Sequence, residues 1–227
     1  MWEGAGRGSA LWQTRRRVGV EMMKMIILGG FLGAGKTSLM LQMARYLVGE
    51  EQETAAKVVI LENEIGEVSI DDKILAGRGF EVSTMFSGCV CCTTAGELVS
   101  NVYRIQETFH PEWLILEATG VAYPLRIKEN IERSVRLKSG RIFCVADAGR
   151  WFRLRKAMEA FMRDQLDQAD VIFINKTDAV DEETLKQVEE SVRDFNRTGK
   201  CIPVSAIHPI EDAVWRQVFE EPGEGDA

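Results

Sequence analysis

The chain has 227 residues, 45% hydrophobic and 28% charged, so it is long enough to bury the core of one full α/β domain. Its formal charge of −7 comes from 28 basic and 35 acidic residues. This balance argues against binding to nucleic acids or to an anionic membrane surface, since both need a basic face. No apolar run approaches the roughly 20 residues of a membrane-spanning helix.

The two ends of the chain differ in pattern from the middle. Residues 1–22 have neither helical nor strand periodicity, and we expect them to form a disordered N-terminal extension. Residues 23–220 are expected to form a single domain, and residues 221–227 a disordered acidic tail.

Apolar runs of strand length alternate with segments of helical period through this domain. The predicted strands are Met25–Leu28, Val58–Leu61, Trp113–Leu116, Ile142–Val145, Val171–Ile174 and Ile202–Val204, with a weaker strand at Glu81–Phe86. The predicted helices are Thr37–Val48, Thr94–Thr108, Trp151–Asp164, Asp181–Phe195 and Pro209–Phe219. Strands so continuous in aliphatic residues are typical of parallel strands covered on both faces. We therefore expect an α/β fold with a mostly parallel sheet and helices on both faces.

A phosphate-binding motif joins the first predicted strand to the first predicted helix. The segment Gly30–Thr37 matches G-x-x-x-x-G-K-[ST], in which glycines let backbone N–H groups surround the β-phosphate. Lys36 is expected to reach the β- and γ-phosphates, and the Thr37 hydroxyl to bind Mg²⁺. The predicted phosphate-site residues are Gly30, Gly33, Ala34, Gly35, Lys36, Thr37 and Ser38. With the alternating elements, this motif predicts a three-layer P-loop NTPase.

The second predicted phosphate-facing segment is E-A-T-G, Glu117 to Gly120. P-loop proteins hold Mg²⁺, usually through water, with a carboxylate at the end of a neighbouring strand, where Glu117 stands. Gly120 can bring a backbone N–H close to the γ-phosphate. We expect Lys36, Thr37, Glu117 and Gly120 to be catalytic. No residue clearly positions the attacking water, and Glu64 is only a candidate, so turnover without a partner should be slow.

A base-recognition motif, N-K-x-D, directly follows the fifth predicted strand. The Asp178 carboxylate can accept from guanine N1–H and N2–H, and adenine offers neither donor, so ATP would leave it unpaired. Asn175 is expected to bridge base and loop, and the stem of Lys176 to cover the ring. After the next strand, the Ala206 N–H is placed to meet guanine O6. The predicted base-site residues are Asn175, Lys176, Asp178, Ser205 and Ala206. These elements predict GTP and GDP as ligands.

Three of the five cysteines fall within four residues, as Cys89, Cys91 and Cys92. Neighbours so close rarely pair with each other, so we expect reduced thiols in a cytoplasmic protein rather than a disulfide framework. Three thiols can converge on one soft or borderline metal ion and leave room for a fourth ligand. The alternative is reactive or merely buried cysteine, which suits the isolated Cys144 and Cys201.

Together these motifs resemble the CobW-type metal-homeostasis GTPases, which are similar to the urease and hydrogenase nickel-insertion GTPases. The resemblance rests on the segments above and on the run Glu62–Asp71, and extends from about Met25 to about Ile207. The Cys-x-Cys-Cys run is specific to this group. Longer members carry a C-terminal domain of their own, which we do not expect in these 227 residues. It also lacks a histidine-rich tract, so metal storage is not expected.

The resemblance implies a GTPase that binds Zn²⁺, or Co²⁺ or Ni²⁺, and passes the ion under nucleotide control to a client metalloprotein or cofactor-assembly protein. It implies Cys89, Cys91, Cys92 and Glu62 as ligands of the transition metal. A carboxylate at the start of a nucleotide-sensitive loop could complete a thiolate site in one nucleotide state only. By analogy with this class, a nucleotide-dependent homodimer is also implied. The alternative is a GTP-dependent chaperone or activator of a cofactor enzyme, such as a corrinoid enzyme, with structural or regulatory cysteines and no metal transfer.

Overall fold

A computed structural model describes residues 22–49, 58–62, 95–120 and 122–219. In these ranges the strands are β1 (Lys24–Gly30), β2 (Val58–Glu62), β3 (Trp113–Glu117), β4 (Ser139–Asp147), β5 (Val171–Asn175) and β6 (Lys200–Pro203). The helices are α1 (Lys36–Val48), α2 (Ala95–Phe109), α3 (Pro124–Glu132), α4 (Trp151–Leu166), α5 (Glu182–Val192) and α6 (Asp212–Phe219), with 3₁₀ helices at Ala148–Arg150 and Thr177–Ala179. Within them, no helix has the length and apolar content to cross a bilayer.

The strands described form one parallel sheet in the order β2-β3-β1-β4-β5-β6. All carboxyl ends of parallel strands lie along the same edge, and the chain reverses its direction of winding between β1 and β4. In open α/β sheets, ligands bind at this edge near such a switch point. The predicted phosphate and base motifs both follow strands here.

Alternation along the strands sends side chains into two helical layers. Ile26 and Leu28 pack with α1 and α6, whereas Met25 and Ile27 face the layer that contains α2 and α3. Helices α4 and α5 continue that second layer over β4 and β5. These side chains are fully buried, as expected for strands covered on both faces. The predicted three-layer α/β fold is confirmed.

The bounds of most elements differ by a few residues from the sequence prediction, and two helices differ further. Helix α3 was not predicted, because it has only nine residues and buries little more than Pro124 and Ile131. The helix predicted at Asp181–Phe195 is α5; Asp181 is its N-cap, and the Asp181 carboxylate accepts from the Thr184 N–H at 2.7 Å. The helix ends at Val192, however, three residues before the predicted end at Phe195.

Candidate functional site: a nucleotide-binding edge

The P-loop, residues 30–37, connects the end of β1 to the first turn of α1. Gly33 and Gly35 have φ angles of 72° and 99°, a left-handed backbone that favours glycine. A Cβ on Gly35 would also overlap the side-chain amide of Asn175. The glycine pattern therefore serves both the curvature of this loop and its close approach to the predicted base-recognition motif.

The predicted phosphate and magnesium residues lie together at the start of α1. The Thr37 hydroxyl donates to the Glu117 carboxylate at 3.1 Å. The Lys36 ammonium lies 3.8 Å from the same carboxylate and donates to the Phe31 carbonyl at 3.4 Å. Lys36 is only 6% exposed. A hydroxyl and a carboxylate so close supply the oxygen ligands that Mg²⁺ prefers, so the residues fit the ion.

The segment after β3 lies directly against the P-loop. The Ala118 N–H donates to the Leu28 carbonyl at 3.0 Å. A Cβ on Gly120 would come within 2.8 Å of the Leu32 backbone nitrogen, closer than a real Cβ contact allows. Glycine at position 120 thus lets this segment approach the P-loop backbone, next to where the prediction places the γ-phosphate.

Asn175 joins three loops at the carboxyl edge of the sheet. Its side chain is 2% exposed; Nδ2 donates to the Ala34 carbonyl at 2.8 Å, and Oδ1 accepts from the Ala206 N–H at 2.9 Å. Both halves of the amide are therefore satisfied, one by the P-loop and one by the loop after β6. This bridge is the geometric link between the phosphate and base motifs.

Lys176 fixes the base-recognition motif to the P-loop by a second contact. Its backbone is left-handed, with φ of 65°, and its ammonium donates to the Gly33 carbonyl at 2.7 Å. Its stem is consequently held beside the predicted base position.

The remaining predicted base-site residues lie at the same edge. Asp178 is exposed, and its carboxylate accepts from the Ser205 hydroxyl. The Ala206 N–H, predicted to meet guanine O6, donates here to Asn175. Its contact with guanine therefore stays a prediction, as does that of Asp178.

Asp147, at the end of β4, is a site residue that the motifs did not indicate. It is 3% exposed and accepts from the Lys176 ammonium and the Arg150 Nε, each at 2.7 Å. Arg150 also donates to the Leu32 carbonyl at 2.9 Å. Burial raises the pKa of Asp147, but hydrogen bonds and charges from Lys176 and Arg150 outweigh it and hold the pKa below its usual value. One carboxylate thus joins the P-loop to the base motif.

Gln42 of α1 is a second residue that sequence reasoning missed. Its amide donates to the carbonyls of Ala206 and His208, at 2.9 and 3.0 Å, and accepts from the Ile210 N–H at 2.8 Å. It therefore orders the loop after β6 that carries Ser205 and Ala206. The sequence indicates this role of Gln42 only weakly, because a glutamine on a predicted helix is ordinarily exposed to solvent.

Several predicted residues lie outside the described part of the chain. They are Cys89, Cys91, Cys92 and Glu64, together with the weak strand Glu81–Phe86, residues 1–21 and residues 220–227. Of Glu62 the backbone alone is described: it ends β2 and pairs in register with Glu117 on β3. Among the described residues, no group of three or more His, Cys, Asp or Glu side chains could hold a metal ion.

The two isolated cysteines fit the alternative of buried cysteines without a metal. Cys144 is buried in β4, and burial raises the pKa of its thiol to about 12. Cys201 is half-buried, and its pKa is also raised, mainly by burial. Both thiols are therefore protonated at neutral pH and are poor metal ligands.

The chain is similar to several known proteins. The zinc-regulated GTPase metalloprotein activator 1 of Dictyostelium discoideum is 24% identical over 90% of the chain and 52% of its own length. The zinc chaperone YjiA of Escherichia coli K12 is 35% identical over 43% of the chain and 30% of its own length. The crystal structure of the Zn(II)-bound YjiA GTPase matches with a TM-score of 0.59 and 20% identity, over 86% of this chain and 61% of that one.

The chain thus spans about half the length of the curated relatives it matches, and the structural likeness establishes the P-loop GTPase fold alone. The family model described as "CobW/HypB/UreG, nucleotide-binding domain" matches residues 24–203, most of the chain. The chain belongs to the CobW/HypB/UreG nucleotide-binding domain family.

Proposed function

We propose that the chain binds GTP and GDP and is a slow GTPase whose nucleotide state controls the binding and delivery of a divalent metal. The observation that carries the nucleotide half is the buried Asn175 amide, which bonds to Ala34 of the P-loop and to Ala206 of the loop after β6. One side chain, hydrogen-bonded through both its amide nitrogen and its amide oxygen, thus connects the proposed phosphate site to the proposed base site. This supports a single ligand that occupies both.

The phosphate end of the proposed site is built from α1 and β3. Lys36 would neutralise the β- and γ-phosphates, and Thr37 and Glu117 would hold Mg²⁺, Glu117 through water. Bound Mg²⁺ would supply positive charge to the phosphate oxygens during hydrolysis. The Gly120 N–H would stabilise charge on the γ-phosphate, because its lack of a side chain permits approach to the P-loop.

Guanine preference in this proposal comes from Asp178. The carboxylate is exposed at the sheet edge and is oriented by the Ser205 hydroxyl. It would accept from guanine N1–H and N2–H. Adenine has neither donor there, so the site would lose both bonds with ATP and discriminate strongly against it. The Lys176 stem, held by Gly33 and Asp147, would lie over the ring.

The metal half of the proposal rests on the sequence and on relatives. A relative is named as a zinc-regulated GTPase metalloprotein activator, and others as zinc chaperones. Here the proposed ligands are Cys89, Cys91, Cys92 and Glu62, with Zn²⁺, or Co²⁺ or Ni²⁺, as cargo for a client metalloprotein. Glu62 supports coupling, because its backbone pairs with Glu117, beside the proposed magnesium position. A second copy of the chain is a further proposed partner.

Substitution of Asp178 tests the nucleotide assignment. In the Asp178→Asn variant the new amide can donate to a xanthine oxygen and no longer accepts two guanine N–H groups. We expect GTP affinity to fall at least about 100-fold and xanthosine triphosphate to bind instead. Calorimetry with both nucleotides and Mg²⁺ measures this.

The matched control is Asp164→Asn on the exposed side of α4, which should leave both affinities unchanged. Unaltered nucleotide preference in Asp178→Asn would refute the base assignment. Failure of the native chain to bind any guanine nucleotide would refute the proposed function as a whole.

A further inference from the structure

Gln165, near the end of α4, connects two segments of the proposed nucleotide site. Its side chain is 1% exposed. The amide oxygen accepts from the Gly30 N–H at 3.0 Å, where the P-loop begins, and the amide nitrogen donates to the Ala122 carbonyl. Ala122 belongs to the loop between β3 and α3, which also contains Gly120. A buried amide with both halves bonded in this way fixes the spacing between the two segments.

Phe161, one helical turn earlier on α4, connects the same two segments by packing. Its ring lies edge-on to Phe31 of the P-loop, with centroids 5.3 Å apart, and to Tyr123 at 5.8 Å. Residues four apart on a helix share a face. Two side chains on one face of α4 therefore span the P-loop and the β3–α3 loop, one with hydrogen bonds and one with aromatic contacts.

The residues around the Gln165 amide are closely packed. A Cβ on Gly29 would come within 2.6 Å of the Pro124 ring and 3.4 Å of the Gln165 amide oxygen. At the β3 end of the β3–α3 loop, a Cβ on Gly120 would come within 2.8 Å of the Leu32 backbone nitrogen. The position of the Gly120 N–H is thus set relative to the P-loop by contacts at both ends of the loop.

We propose that Gln165 is a positioning residue for GTP hydrolysis: it holds the β3–α3 loop at the distance from the P-loop at which the Gly120 N–H reaches the γ-phosphate. This inference rests on the proposed function. Gln165 touches neither nucleotide nor reacting atoms and acts through Gly30 and Ala122. Because GDP has no γ-phosphate, the effect of Gln165 is felt with GTP and little with GDP.

The shape of α4 is consistent with this role. The helix is interrupted at Met158, where φ is −145° and ψ is 38°, so its final turns from Glu159 to Leu166 form a separate helical segment. Trp151, at the start of the other segment, donates to the Ser191 hydroxyl of α5 at 2.8 Å. The segment that carries Phe161 and Gln165 therefore has its own orientation. It contacts the proposed nucleotide site and also, through Arg163, the Asp194 carbonyl after α5 at 3.5 Å.

The test compares Gln165→Met with native protein and with Gln187→Met, the same chemical change at an exposed residue of α5. Methionine keeps the size of glutamine but makes neither hydrogen bond. Urea denaturation first establishes that each variant is folded. We then measure the dissociation constants of GDP and of a non-hydrolysable GTP analogue with Mg²⁺, and kcat and KM for GTP.

For Gln165→Met we expect kcat to fall about tenfold and the preference for the GTP analogue over GDP to fall about tenfold, with GDP affinity within about twofold of native. Phe161→Leu should change both quantities in the same direction and carries the test if Gln165→Met does not fold. Equal weakening of both nucleotides, or unchanged kcat and preference, would overturn the inference. A native chain that binds no GTP would instead overturn the proposed function.

Discussion

At the scale of single residues, Asp147 shows how one buried carboxylate organises a site assembled from distant segments. It pairs with two cations, and each cation in turn donates to a P-loop carbonyl, Lys176 to Gly33 and Arg150 to Leu32. Its carboxylate also accepts from the Arg150 N–H at 3.1 Å, which caps the following 3₁₀ helix. Two positive charges converge on one negative charge at this position.

Asp147→Asn tests this arrangement. The amide keeps the shape of the carboxylate but presents a donor to two cations, so we expect a loss of about 1–3 kcal/mol in the free energy of unfolding. Since the folded-state pKa lies below the ordinary value of 3.8, the stability from ionised Asp147 is present above that value and is lost as pH falls through the lower one.

Urea denaturation at pH 7 and near pH 3 measures this loss. The difference between native protein and Asp147→Asn should be largest at pH 7 and shrink at the lower pH. Asp194→Asn is the control, because Asp194 forms an exposed ion pair with Arg155 and should contribute little. A difference that does not vary with pH would show that the charge of Asp147 is not what stabilises the site.

The residues that sequence reasoning missed share a physical cause. Gln165 and Gly30 are 135 positions apart, and nothing in the sequence near either marks the bond. The P-loop and N-K-x-D could be predicted because their residues act through local spacing after a strand. Asp147, Gln42 and Gln165 act across the fold, and their positions follow only from the order of strands in the sheet.

At the scale of secondary structure, the strands were predictable because burial on both faces leaves continuous aliphatic runs, and the longer helices because their apolar residues recur with a helical period. Val171–Asn175, for example, is buried throughout. Helix α3 was not predictable in the same way, since its buried face is narrow. The last described helix, α6, was predicted from a short segment, and one side chain is the largest that it buries, beside Val218.

Trp215 is that side chain. It is 2% exposed, and its ring packs against Phe173 of β5 with centroids 5.9 Å apart and against Tyr46 of α1 at 6.1 Å. We expect Trp215→Ala to lower the free energy of unfolding by about 3–5 kcal/mol, as large-to-small changes in a core do. Chemical denaturation followed by circular dichroism measures the change.

The control is Phe152→Ala, because Phe152 is 44% exposed and its truncation leaves no buried cavity. A cost below about 1 kcal/mol for Trp215→Ala would mean that α6 is an appendage rather than part of the core.

At the scale of the whole molecule, the parallel sheet brings the proposed nucleotide residues and the backbone of Glu62 to one edge. β1 and β3 carry the phosphate residues, β4 and β5 carry Asp147 and the base motif, and β2 ends at Glu62. The backbone of Glu62 is thus one strand away from Glu117. This proximity is the structural support for the proposed coupling between nucleotide and metal.

Thermodynamic linkage supplies the test of that coupling. If Glu62 is a metal ligand in one nucleotide state only, Zn²⁺ affinity should differ between the GTP-analogue and GDP forms, by about 5–150-fold for typical coupling energies. Zn²⁺ must then change the ratio of GTP-analogue to GDP affinity by the same factor. Titration of the reduced, full chain in both orders measures both quantities.

Three variants locate the metal site in the same titration. Replacement of both Cys91 and Cys92 by serine should abolish stoichiometric Zn²⁺ binding, because a hydroxyl is a much poorer ligand than a thiolate. Glu62→Gln should retain Zn²⁺ binding but lose the difference between nucleotide states. Cys201→Ser, which changes a thiol of raised pKa in β6, should behave as native.

Two outcomes would contradict the proposed metal site. Zn²⁺ affinity that is equal in both nucleotide states of the native chain would favour a structural or regulatory cysteine site. Undiminished Zn²⁺ binding without Cys91 and Cys92 would place the metal elsewhere.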